Sequence, residues 1–119
     1  MSARVILVSS DLFFISKIKE VAASLSQPIT VARSQAVLER EASQAAPGGL
    51  LMVDLEKVTV PLEALSAIEQ TLREKGWQTV SFFSHVHIDT AEKAKAAGLG
   101  EVMARSKFVK VLPELLAAL

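Results

Sequence analysis

Five short strand-like runs alternate with segments of helical periodicity, and that alternation restricts the fold more than any other feature of the chain. The runs are Val5 to Val8, Ile29 to Ala32, Leu50 to Val53, Thr79 to Phe83 and, shorter and weaker, Glu101 to Ala104. Val5-Ile6-Leu7-Val8 is continuously aliphatic rather than alternating, the pattern of a strand covered on both faces. Strands of that kind lie in parallel sheets, whose crossovers are short and right-handed. Fitted into 119 residues, the pattern predicts one α/β domain spanning 1–119. Its sheet is doubly wound and parallel, in the strand order 2-1-3-4-5, with helices on both faces.

The intervening segments fit this plan. From Asp11 to Leu25, the residues Phe14, Ile18, Val21 and Leu25 form an apolar stripe, while Lys17, Lys19 and Glu20 face elsewhere. Ser34 is placed to cap a second helix carrying Val37, Leu38, Ala42 and Ala45, which Pro47-Gly48-Gly49 stops. A third helix starts near Pro61, turns Leu62, Leu65, Ile68 and Leu72 inward, and ends at Gly76. Asp89 or Thr90 opens an alanine-rich fourth helix, closed by Ala97-Gly98. In the last apolar stretch, Phe108 to Leu119, Pro113 predicts a turn first and regular helix from Leu112 onward.

Composition narrows the functions. Half of the residues are hydrophobic and the formal net charge is zero, so nothing marks a nucleic-acid or anionic-membrane partner. The absence of Cys excludes disulfides, a thiolate nucleophile and cysteine metal sites. Val5 to Val8 is too short for a signal-peptide core, and no stretch has the length of a membrane span. A soluble cytoplasmic protein is expected, with no output module beyond the single domain.

The residues that topology gathers at one sheet edge carry the chemistry. Asp54 ends the third run and is expected to be exposed at the carboxyl edge of its strand, where open α/β sheets bind ligands. Ser9, Ser10 and Asp11 follow the first strand, and Glu56 stands just past Asp54. Ser84 and His85 follow the fourth strand; Arg105, Ser106 and Lys107 follow the fifth. Ser9-Ser10-Asp11-Leu12-Phe13 has no glycine, which removes a P-loop or dinucleotide site. His85 and His87 lack a third clear ligand, so no metal centre is expected, and an adjacent Ser84 and His85 do not make a triad with Asp54. No enzymatic activity is expected. Trp77 either packs against the end of the third helix or stacks on a ligand; Phe13, off the main stripe, belongs to a partner surface or to a wide buried face.

With Asp54 ending strand three and Ser84 ending strand four, the whole chain resembles the receiver domain of bacterial response regulators, in a divergent, pseudo-receiver form. The resemblance implies a flavodoxin-like fold and a role in two-component signalling or a phosphorelay, with Asp54 at the phosphoacceptor position. It also implies an acid pair after strand one to hold Mg²⁺, and a Lys at the end of strand five. Here the acid pair falls on Ser9 and Ser10, with Asp11 one residue late, and the Lys position holds Arg105 followed by Ser106. Mg²⁺ is therefore expected to bind weakly or not at all, because neutral hydroxyls replace its water poorly. Asp11 either reaches inward or serves the first turn of the helix. Arg105 either pairs with Asp54 or binds an anion. Ser106 is expected in a turn or as a helix cap.

Three readings follow. In the first, a stand-alone receiver-like module with a degenerate phosphorylation site acts through protein contacts, its partner or second copy meeting the face of helix four, strand five and helix five. In the second, Asp54 is a working phosphoacceptor. In the third, a flavodoxin-like domain binds a small anionic ligand through Ser9, Ser10, His85 and Arg105.

Overall fold

The computed structural model describes residues 4–56, 58, 60–83 and 88–119. Its strands are β1 (Val5–Val8), β2 (Thr30–Ala32), β3 (Leu50–Asp54), β4 (Gln78–Phe83) and β5 (Glu101–Ala104). Between and after them run α1 (Leu12–Ser24), α2 (Gln35–Gln44), α3 (Leu62–Glu74), α4 (Ile88–Ala96) and α5 (Arg105–Ala117). The sheet is parallel in the order β2-β1-β3-β4-β5, as the alternation predicts.

Side chains alternate across each strand and so divide the core into two layers. Ile6, Val8, Leu51 and Val53 pack with residues of α2, α3 and α4, whereas Val5, Leu7, Leu50 and Met52 pack with α1 and α5. Continuing that period, Ser9 and Asp54 point to the α1/α5 side, and the pairing of Val8 with Val53 sets them level. A ring cluster closes this layer: Phe82 stacks on Phe108 at 4.2 Å between centroids, and Phe14 tilts against Phe82 at 5.1 Å.

Several expectations are corrected. In α1 the buried residues are Phe14, Ile15, Ile18 and Ala22, while Val21 is half-buried and Leu25 largely exposed, because the helix rests on both the sheet and α5. β2 begins at Thr30 rather than Ile29, β4 at Gln78 rather than Thr79, and α4 at Ile88. No turn separates β5 from the last helix. α5 begins at Arg105 and carries Pro113 in its interior, on the exposed face between buried Leu112 and Leu116, where water can bond the carbonyl that loses its helical donor. Trp77 packs within the core at the end of α3, its Nε1–H donating to the Ala46 carbonyl at 2.8 Å.

Candidate functional site: the Asp54 edge

β1, β3 and β5 end at the same edge of the sheet, and the segments leaving them build the site. Asp54 is the last residue of β3, paired in register with Phe82. Contrary to expectation it is not exposed: it is fully buried. Extending β3 by one residue draws the carboxylate beneath the start of α1 and the Arg105 side chain. A carboxylate so placed needs hydrogen bonds and charge compensation.

Asp54 finds both. Ser9, itself buried, donates its hydroxyl to Asp54 Oδ2 at 2.9 Å, and the Glu56 amide donates to Oδ1 at 3.1 Å. Arg105 Nη2 lies 3.3 Å from Oδ2. The other end of the guanidinium, Nη1, lies 3.4 Å from Asp11 Oδ2. Both distances exceed the usual 2.7–2.9 Å of charge-assisted hydrogen bonds. Arg105 therefore bridges two carboxylates and does not clamp one. Phe14 supports it from below, with the guanidinium carbon 4.2 Å from the ring centroid.

Both alternatives for Asp11 are realised in one side chain. As N-cap of α1 it accepts the Phe14 amide through Oδ1 at 3.2 Å, and its Oδ2 turns inward to Arg105. Its own amide donates to Ser9 Oγ at 3.1 Å, so the Ser9 hydroxyl links the Asp11 backbone to the Asp54 carboxylate.

The remaining candidates among the described residues are more exposed than Asp54 and Ser9. Ser10, one step further along the backbone, is exposed. Glu56 contributes through its amide to Asp54 and is half-buried. Ser106 is an exposed residue of the first turn of α5 and neither caps it nor forms a turn; the N-cap is Ala104 without a side-chain bond. Lys107 points back along β5 to Glu101 at 3.6 Å, both side chains well exposed. Ser84, His85 and His87 lie outside the described residues. The sequence pattern places Phe14, the platform beneath Arg105, in the core stripe alone. Its signal was its place three residues after the capping acid.

Among the described residues this donor set suits a divalent cation poorly. Mg²⁺ needs near-octahedral oxygen ligands and binds through carboxylates. Asp11 and Asp54 both face Arg105, and Ser9 adds only a neutral hydroxyl that already donates to Asp54. Among the described residues no group of three or more His, Cys, Asp or Glu converges as a metal site.

No protein-family model matches the sequence, and no curated protein matches it. Solved structures do. The receiver domain of a Pseudomonas aeruginosa sensor histidine kinase, with magnesium coordinated in its active-site cleft, superposes with a TM-score of 0.73 at 12% identity, covering 98% of both chains. The chemotaxis response regulator CheY4 of Vibrio cholerae gives 0.72 at 13% identity, over 99% of this chain and 98% of its own. The phosphorylated cyanobacterial phytochrome response regulator RcpA gives 0.71 at 16% identity, over 99% and 91%. The sheet order β2-β1-β3-β4-β5 agrees with these likenesses, and the chain has the fold of response-regulator receiver domains.

Proposed function

We propose that this chain is a receiver-type signalling module with a degenerate phosphorylation site, acting through protein contacts and not as an enzyme. The observation that carries the reading is Arg105 spanning Asp11 and Asp54. Phosphoryl transfer to a carboxylate needs positive charge to offset what accumulates on the transferring group. Among the described residues the positive charge beside Asp54 is a planar guanidinium already shared between two carboxylates, and weak Mg²⁺ binding is the most that Asp11 and Asp54 support. Asp54 then serves as the buried anchor of an internal ion pair.

Incubation with acetyl phosphate or phosphoramidate and Mg²⁺ tests this. The intact mass is expected to stay unchanged. A gain of one phosphoryl group that disappears in Asp54→Asn would establish Asp54 as a working acceptor and overturn the degenerate reading. The long Arg105 contacts, with a quarter of its side chain exposed, are what favour that alternative. The anionic-ligand reading is weaker, because among the described residues Asp11 and Asp54 set two negative charges against the one of Arg105, and Ser10 is exposed.

The receiver likeness suggests a partner or second copy on the face of α4, β5 and α5. Distribution of apolar surface argues for a share at the start of α1. Leu112 and Leu116 are buried against the sheet, while the exposed large apolar side chains among the described residues are Leu12, Phe13 and Leu25, with Phe13 92% exposed. No helix of the described residues is long and apolar enough to cross a membrane. Loss of partner recovery in Phe13→Ser, with Lys110→Glu on α5 neutral, would place the contact on α1.

A further inference from the structure

On the opposite face of the sheet from Arg105, a cavity of about 180 Å³ opens between the β3–α3 connection, the start of α3, and α4. Leu55, Val60, Leu65 and Ala94 are among the apolar groups that wall it, and Thr90 and Lys93 stand on the α4 side. Val60, Leu65 and Ala94 are almost wholly buried, so these walls belong to the packed core. Lys93 is exposed and, among the described residues, makes no ion pair or side-chain hydrogen bond.

We propose that this cavity binds a small apolar carboxylic acid, its hydrocarbon body among Leu55, Val60, Leu65 and Ala94 and its carboxylate at Lys93. Volume sets the body. An apolar cavity of roughly 150 Å³ accepts a benzene molecule, so a phenyl ring or a branched chain of about six carbons matches the space here. Charge sets the head. An apolar ligand sheds its water in the cavity, and the ammonium at the rim then favours an anion over a cation of the same shape. Thr90, one turn before Lys93 on α4, offers a hydroxyl to the second carboxylate oxygen. Leu55 directly follows Asp54 and its amide donates to the Phe82 carbonyl at 2.9 Å, so the ligand would touch the strand end that carries the buried carboxylate.

The test uses the full chain and three probes of one shape: phenylacetate, 2-phenylethanol and phenethylamine, with acetate as the head alone. Backbone and methyl NMR shifts at Leu55, Val60, Leu65 and Ala94 are followed at constant pH and ionic strength. Phenylacetate is expected to saturate and to bind at least about three-fold tighter than phenethylamine, the size of an exposed charge pair. Acetate should leave these signals unmoved. Lys93→Met, on the exposed side of α4, should erase the preference for the acid while leaving the alcohol unchanged. Ala94→Leu, which fills the cavity, should lose all three probes. The proposal fails if phenylacetate does not saturate by about 20 mM, if acid and amine bind equally, or if Lys93→Met keeps the preference. These outcomes are independent of whether Asp54 accepts a phosphoryl group.

Discussion

At each end of the sheet a cation is held against oxygen atoms, with opposite consequences. At the amino end, Lys75 Nζ donates to the carbonyls of Ala42, Ser43 and Ala45 at 2.8, 3.2 and 3.3 Å, closing the end of α2. Beside it, Trp77 is buried and Gly49 packs so closely that a Cβ would stand 2.5 Å from the Arg4 carbonyl and 2.5 Å from the Trp77 ring. At the carboxyl end, Arg105 faces the carboxylates Asp11 and Asp54 at 3.4 and 3.3 Å. Carbonyl groups are fixed dipoles that are satisfied once a donor reaches them. Two carboxylates are net charges, and removing their cation leaves them exposed to mutual repulsion and burial cost. The amino end is closed by shape and by hydrogen bonds to neutral carbonyls; the carboxyl end is held by a balance of charges that another cation, a proton or a partner can alter.

The largest expected effect tests the closure by shape. Gly49→Ala should lower unfolding stability by about 3 kcal/mol in urea titration, since neither the Arg4 backbone nor the indole can move aside cheaply. A loss below about 1 kcal/mol would show that the amino end yields, and the contrast between the two ends would not hold.

Next comes the charge balance. Arg105→Met should cost about 2 kcal/mol, less than a fully buried pair because a quarter of the Arg105 side chain is exposed. Asp54→Asn in the same chain should recover part of that loss, giving a coupling of about 1–2 kcal/mol in a double-mutant cycle. Additive effects would mean that Arg105 and Asp54 do not depend on each other.

Lys75→Met should cost about 1 kcal/mol, through carbonyls left to water and a lost helix-end charge. High salt should change the Arg105→Met loss more than this one, because net charges attract counterions more strongly than dipoles do. Equal salt responses would remove the distinction between the two cations. The smallest effect concerns Mg²⁺. At about 10 mM it should leave the melting temperature of the native chain within about 1 °C, and raise that of Arg105→Ser by more, since removal of the guanidinium frees Asp11 and Asp54. Clear stabilisation of the native chain would show that Mg²⁺ displaces Arg105.

Much of the fold was legible because its signals are local. The continuous run Val5 to Val8, the Ser34 cap and the glycines after α2 and α3 act within a few residues of themselves. Errors arose where a neighbour in space decided. Val21 and Leu25 satisfy a helical period, yet α5 and the sheet bury Ile15 and Ala22 instead. Pro113 would stop an isolated helix, but Leu112 and Leu116 anchor the turns on either side of it.

By itself the sequence determined which residues reach the carboxyl edge: alternation of strands and helices, and right-handed crossovers, bring the ends of β1, β3 and β5 together whatever the side chains there do. Tertiary structure alone decided their roles. The pleat and the Val8–Val53 register turn Ser9 inward and leave Ser10 in solvent, and the same register buries Asp54. Arg105 could have reached solvent or an anion; the start of α5 over the Phe14 ring directs it between Asp11 and Asp54. Side-chain direction depends on register and on neighbours distant in sequence, and burial makes the pairing of charges obligatory only once those neighbours are in place.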